Sequence, residues 1–294
     1  MGKGTQVRQL FNKNFGHKDW VTCCSYLQDG RILSGGMDAM LCLWDKRAVR
    51  CDNLAQHTGS ISCLQVNKDD VAVSGSYDKS IFVWDLHRLR PVMGLQATAP
   101  VTTLAWNNSL LVSGERDGKV LFYDLNTGKN FNTLACHSSS IHKLCFSVDG
   151  GDFNLITSCG KDGKLTVTDL RDNECIFSQQ VHRGAVNVLS SSLSNTLITG
   201  SADGTAVVWD IVMGFRPRCT MKANGGIFCG EILSNLFVCG CADGNLLVFD
   251  MDTGEALFGF GADNVGGVNC LGISQNKKKL ITGGDSGTAL LLNF

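Results

Sequence analysis

From Ser60 onward the chain alternates between short apolar runs and clusters of small or polar residues: "SISCLQV", then "DVAVSGS", then "KSIFVWD". Runs of this length, rich in Val, Ile, Phe and Trp and bounded by Gly, Ser, Asp or Asn, predict β-strands. No segment sustains the 3.6-residue spacing of an amphipathic helix. The turns between the second and third runs carry Asp-Gly or a close equivalent, which suits a tight hairpin. The pattern predicts an all-β chain built from hairpins.

The hairpins recur in phase. Asp38, Asp78, Asp117, Asp162, Asp203 and Asp243 share one turn position, and seven residues after each stands a second Asp: Asp45, Asp85, Asp124, Asp169, Asp210 and Asp250. Four residues before each turn Asp is a small, mostly hydroxylic residue: Ser34, Ser74, Ser113, Ser158, Thr199 and Cys239. A seventh, degenerate copy keeps Thr282 but has Ser286 at the turn and Asn293 at the end. Fixed-period self-similarity of 20–50 residues is the mark of a repeat architecture, in which each unit needs its neighbours to cover it.

These copies resemble the WD-repeat family, with "FVWD" at 82–85 and "VVWD" at 207–210 as good matches. "LFYD" at 121–124, "TVTD" at 166–169 and "LVFD" at 247–250 are weaker ones. The resemblance implies one domain over 1–294, a seven-bladed β-propeller of four-stranded antiparallel blades. The repeats fall at about 17–56, 57–96, 97–136, 137–181, 182–222, 223–260 and 261–294, and a strand at about 5–15 is expected to complete the last blade and close the ring.

Composition narrows the functional classes. Net charge is −1 with acids and bases interspersed, which argues against a nucleic-acid binder attracted by an overall field. The start, "MGKGTQVRQL", has no apolar segment, so neither membrane insertion nor secretion is expected, and a cytoplasmic or nuclear setting is. The 14 cysteines form no C-x-x-C pair. Cys23, Cys63, Cys229 and Cys270 recur two residues into a strand, as small buried hydrophobes would. No P-loop and no G-x-S-x-G elbow is present. No catalysis, cofactor or metal is expected. "KKK" at 277–279 reads as a solvated hairpin loop, and "SVDGGDFN" at 147–154 as an insertion that lengthens one loop.

Histidines among Asp and Ser prompt a thought of nucleophilic catalysis, but their placement is structural. His17, His57, His137 and His182 share one slot, four residues before an opening strand. The resemblance implies a buried hydrogen-bond network in each blade: His17, Ser34, Asp38 and Trp44; His57, Ser74, Asp78 and Trp84; His182, Thr199, Asp203 and Trp209. Copies 3, 6 and 7 lack the His and copy 4 has Thr168 in the Trp slot, so these are expected to be the less rigid part.

Function then belongs to the propeller rims. One rim, following the family, presents Met37, Tyr77, Arg116, Lys161, Ala202, Ala242 and Asp285 just before the turns, and Trp20, Ser60, Pro100, Ser140, Ala185, Gly226 and Gly267 just before the first strands. Trp20, Met37, Tyr77, Arg116 and Lys161 are the expected partner-binding set, since aromatic, Arg and Met side chains anchor interfaces. The alternative for Arg116 is an ion pair with Glu115 or Asp117. The expected role is a non-catalytic scaffold or adaptor binding proteins or peptides within a multiprotein complex. A second possibility is a substrate receptor of a cullin-RING ubiquitin ligase, because Asp38, Trp44, Asp45 and Arg47 resemble the box that docks such receptors on their adaptor.

Overall fold

A computed structural model describes residues 8–9, 16–47, 49–67, 69–149, 152–172, 174–192, 195–262, 266–273, 279–285 and 289–293. Every regular element among them is a β-strand. Six times in succession, four consecutive strands pair antiparallel into one sheet, over 21–55, 61–96, 101–135, 141–180, 186–222 and 227–261. These are blades 1 to 6. Blade 2, for example, consists of Ile61–Val66, Val71–Ser76, Ser80–Asp85 and Arg90–Gln96.

The expectation of seven alike blades, the last completed by a strand over about 5–15, is corrected at the seventh position. There the chain supplies Val268–Ile273, Lys279–Gly284 and Ala289–Asn293. Outside them, among the described residues, pairs the two-residue piece Arg8–Gln9, with Arg8 opposite Leu291 and Gln9 opposite Leu290. The propeller is six full blades and a closing sheet of three longer strands with a two-residue fringe. The rest of the expected 5–15 strand lies outside the described residues. The degenerate seventh copy explains part of the difference. In blades 1 to 6 the second Asp of each repeat accepts backbone N–H bonds from the turn that follows, as Asp45 does from Val49, Asp85 from His87 and Arg88, and Asp210 from Met213. Asn293 replaces that Asp in the closing sheet, and Ser286 replaces the turn Asp.

The first strand of every sheet is innermost, and neighbouring sheets interlock there. The opening residue of one blade fills the space over a glycine of the blade before it. A Cβ on Gly35 would come within 2.8 Å of Ile61 Cγ2, and one on Gly75 within 2.6 Å of Val101 Cγ1. Ile141 sits likewise on Gly114, Ile227 on Gly200 and Val268 on Gly240. Val21 of blade 1 packs on Gly283 of the closing sheet, which closes the ring. In blade 4 the slot holds Cys159, fully buried, its thiol turned to the Val186 carbonyl at 3.7 Å. Further out, the sheets bury one another's faces: Leu33, Leu41 and Leu54 of blade 1 join Ile61, Ala72 and Trp84 of blade 2 in one cluster. Burial of that kind, worth about 1.5–3 kcal/mol per large apolar side chain, is what a single sheet could not obtain alone.

Blade 4 absorbs its insertion differently from the expectation. Ile141–Asp149 and Asp152–Gly160 are nine residues each, so the extra residues extend the hairpin rather than its loop. Of "KKK", residues 277 and 278 lie outside the described residues and Lys279 opens a strand.

Candidate protein-binding face

The expected networks form. In blade 2, Trp84 Nε1–H donates to Ser74 Oγ at 2.8 Å, Ser74 meets His57 Nε2 at 2.7 Å, and His57 Nδ1 faces Asp78 at 3.1 Å. Blade 1 repeats this with Trp44, Ser34, His17 and Asp38. In blade 5 His182 bonds Thr199 at 2.8 Å, but its Nδ1 meets Thr205 at 2.9 Å, with Asp203 at 3.7 Å. Blade 4 keeps His137, Ser158 and Asp162 without an indole. Blade 3 finds a substitute that the sequence did not announce. Glu115 is fully buried and accepts from the backbone N–H groups of Thr98 and Ala99 and from the Thr98 hydroxyl, so a carboxylate does the work of the missing His.

In the four blades that carry the His, the turn Asp also accepts the N–H of the residue after it: Asp38 from Lys18, Asp78 from Thr58, Asp162 from Ser138 and Asp203 from Arg183. These bonds tie the loop before the first strand to the turn after the second, at one end of the ring. The tie is completed by one backbone hydrogen bond repeated in every sheet: Met37 to Trp20, Tyr77 to Ser60, Arg116 to Pro100, Lys161 to Ser140, Ala202 to Ala185, Ala242 to Gly226 and Asp285 to Gly267. The two sets of rim positions expected from the sequence are thus bonded partners on one face. Ser60 Oγ adds a bond to the Met37 carbonyl, so the backbone that carries Trp20, Met37 and Tyr77 is hydrogen-bonded without a break across blades 1 and 2. All three are large and open to solvent, at 47%, 39% and 47%.

A β-bulge recurs in the innermost strands, between Val21 and Cys23, Ile61 and Cys63, Val101 and Thr103, and on to Val268 and Cys270. It sets the intervening residue out of register, freeing its side chain to reach the next blade. The hydroxyls of Thr22, Ser62 and Thr102 donate to the carbonyls of Ile61, Val101 and Ile141. Asn187 accepts from His142 and donates to the Ile227 carbonyl at 2.9 Å. These residues, with Met37, Tyr77, Lys143 and Phe228, line a cavity of about 430 Å³ at the mouth of the central channel.

Below the mouth lies a chamber of about 300 Å³ walled by all the innermost strands. Cys23, Cys63, Cys229 and Cys270 line it, so these positions face the channel as well as packing between sheets. Burial pushes the Cys63 thiol up to about 11, and raises those of Cys23 and Cys229 further, so none is a ready nucleophile at neutral pH;. Lys143 and Glu231 share the chamber without forming an ion pair. Glu231 is open to the channel, yet the protein around it displaces enough bulk water to raise its carboxyl above the ordinary value, against the pull of Lys143. No group of three or more potential metal ligands occurs among the described residues, and no helix there is long and apolar enough to cross a membrane.

Arg116 does not take the ion-pair alternative. Glu115 is occupied by Thr98 and Ala99, and Asp117 pairs with Lys119 at 2.8 Å. The four residues of the ligase-type box are split. Asp38, before the strand Met40–Trp44, and the Trp44 indole at its end are consumed by the blade 1 network, while Asp45 and the exposed Arg47 follow that end, on the face opposite Asp38. A groove of about 490 Å³ between blades 1 and 2 opens there, lined by Asp45, Arg50, Leu86 and Leu89.

A family model described as "WD domain, G-beta repeat" matches residues 6–45, 49–85, 128–169 and 173–210, more than half of the chain. The chain belongs to the WD-repeat family. Among curated WD-repeat relatives, it is 26% identical over 232 residues to apoptotic protease-activating factor 1 of Danio rerio, covering 74% of this chain and 17% of that one. It is 30% identical over 125 residues to autophagy-related protein 16 of Arabidopsis thaliana, covering 40% and 23%. It is 23% identical over 136 residues to eukaryotic translation initiation factor 3 subunit I of Culex quinquefasciatus, covering 42% of each. The chain therefore spans less than half the length of these relatives. WD-repeat proteins as a class act as protein-interaction scaffolds, and the matched blades 1, 2, 4 and 5 are those whose His bonds the strand hydroxyl.

Proposed function

We propose that this WD-repeat propeller is a non-catalytic scaffold that holds a partner protein on the face built from Trp20, Met37, Tyr77, Arg116 and Lys161. One observation carries the reading. The repeated backbone tie brings Trp20, Met37 and Tyr77 into one solvent-open apolar path beside a cavity at the channel mouth. Large apolar side chains gathered on one rigid face are how interfaces concentrate binding energy. Blades 5 and 6 carry only Ala202, Ala185, Ala242 and Gly226 at the same positions, so the binding surface is lopsided.

The test is affinity purification from native lysate with wild type and a Trp20/Tyr77/Arg116→Ala variant, each first shown to have the same unfolding midpoint. The variant is expected to lose a stable assembly that wild type retains. Unchanged recovery of every partner would reject this face. The groove beside Asp45 on the opposite face supports a second reading, the ligase substrate receptor. Loss of a ligase adaptor with Arg47→Ala, and not with the triple variant, would favour that reading.

A further inference from the structure

The carboxylates on the binding face are largely spoken for. Asp38, Asp78 and Asp162 face buried histidines, Glu115 holds the Thr98 loop, Asp117 holds Lys119, and Asp285 accepts from Gly267 N–H and Asn269. Three of the cations are not. Arg116 and Lys161 stand at the exposed rim of blades 3 and 4, and neither makes a side-chain ion pair or hydrogen bond among the described residues. Lys143 projects into the mouth cavity and the chamber below it, where Glu231 is too far away for an ion pair. Lys143 lines the mouth cavity together with His142 and Ser140, and the Lys161 backbone N–H is bonded to the Ser140 carbonyl, which sets Lys161 at the edge of the same mouth. On a chain of net charge −1, the blade 3 and 4 side of this mouth is therefore locally cationic, next to the apolar path over blades 1 and 2.

We propose that the mouth receives an acidic peptide segment of a partner protein. An Asp or Glu side chain of the partner enters the cavity toward Lys143 on the Arg116 and Lys161 side, and a neighbouring apolar side chain lies on Trp20, Met37 and Tyr77. The proposal rests on the reading that this face is the protein-binding one, and adds the chemistry it selects. A carboxylate there would meet cations that have no carboxylate partner of their own among the described residues. A Lys-bearing segment would meet uncompensated like charge. The apolar path supplies contact area, and the cations decide which peptide fits.

The experiment pans a displayed library of random peptides against the full chain. Enriched peptides are then measured by fluorescence anisotropy at low and at physiological salt. The expected sequences carry Asp or Glu within one or two residues of Leu, Met or an aromatic residue. Replacing the acid by its amide is expected to weaken binding about tenfold, the scale of one charge-assisted hydrogen bond. Lys143→Gln, and Arg116→Ala with Lys161→Ala, should cost a similar factor and flatten the salt dependence, while Trp20→Ala should weaken acid and amide peptides alike. Peptides with no acidic excess, no enrichment at all, or affinities indifferent to Lys143→Gln would overturn the proposal. So would stronger retention on vesicles containing phosphatidylserine than on any peptide. The two readings fail separately. Peptides that bind without acid preference, but are lost with the Trp20/Tyr77/Arg116→Ala variant, refute only the chemistry. Peptides that bind that variant as well as wild type refute the face.

Discussion

Ser74 is placed between two buried nitrogens, Trp84 Nε1 and His57 Nε2, whose hydrogen-bond partner it is. It accepts from Trp84 Nε1–H and meets His57 Nε2, and the chain of donors is consistent when Ser74 O–H donates to a neutral imidazole whose Nδ1–H faces Asp78;. Burial holds the His57 imidazole below its ordinary value of 6.5, and His182 is shifted the same way for the same reason. Removing the hydroxyl strands both neighbours, so Ser74→Ala is expected to cost about 2–3 kcal/mol, whereas Ser113→Ala in the His-less blade 3 should cost under about 1 kcal/mol. Urea unfolding of the two variants checks the contrast, and equal losses would mean that the network carries no special weight. The same groups set a pH dependence. For His57 and His182 the unfolded chain takes up protons first, so stability is complete above 6.5 and falls as pH drops through it;. For Asp78, burial alone would raise the carboxyl, but bonds from Ser80 and Thr58 outweigh it and hold it at about 2. Its share is therefore present above 3.8 and lost between 3.8 and about 2;. Urea midpoints at pH 7.5, 5.5 and 3 should fall in two stages, and a flat profile from 7.5 to 5 would contradict the neutral-His assignment.

At the scale of the strand and blade, the decisive contact is the opening residue of one sheet on the glycine of the last. An Ala Cβ at Gly75 would stand 2.6 Å from Val101 Cγ1 and 2.7 Å from Cys63 Sγ, so blades 2 and 3 must separate to admit it. Gly75→Ala is expected to destabilise by about 1–3 kcal/mol, the usual cost of overpacking. Gly261→Ala is the control, since the nearest atom to its Cβ, Asn245 Oδ1, is 3.8 Å away. Equal melting temperatures for the two variants would show that the blades do not depend on this interlock. The network residues were legible in the sequence because each keeps a fixed offset from the turn Asp: His, hydroxyl, Asp and Trp recur where Ser74 and Trp84 do. The bulge residues were not, because Thr22, Ser62, Thr102, His142, Asn187, Phe228 and Asn269 share a position but not one side-chain chemistry, the hydroxyl of the first three giving way to imidazole, amide and phenyl. Glu115 was hidden for a related reason, since it replaces a histidine from a different place in the repeat. Lys143 carries no repeat signal, since the equivalent strand positions hold other residue types, and only the ring turns that position toward a common axis. The closing sheet was overestimated because a degenerate copy retains the strand pattern while losing Asp at Ser286 and Asn293.

For the whole molecule, everything depends on blade 1 meeting the closing sheet, and one contact there can be trapped chemically. Cys24 and Cys270 lie 246 positions apart in the chain, and their sulfurs are 3.5 Å apart across the seam. Both border the central chamber, where a small oxidant can reach them. Diamide, which accepts two electrons and two protons, should convert this thiol pair to a disulfide and be reduced to its hydrazine. The Cys24 thiol is held well above its ordinary value, first by its bond to Cys270 and then by burial, so the reaction should be slow at pH 7 and faster at pH 8.5;. Peptide mapping without reduction is expected to recover the 24–270 link, and Cys24→Ser to abolish it. A link enclosing so much of the chain removes disorder from the unfolded state worth on the order of 5 kcal/mol, so the oxidised ring should unfold at a clearly higher urea concentration. Recovery of other disulfides but never this one would mean that the ring does not close between these two strands. The mouth would then lack the rigid frame on which acid selection by Lys143, Arg116 and Lys161 depends.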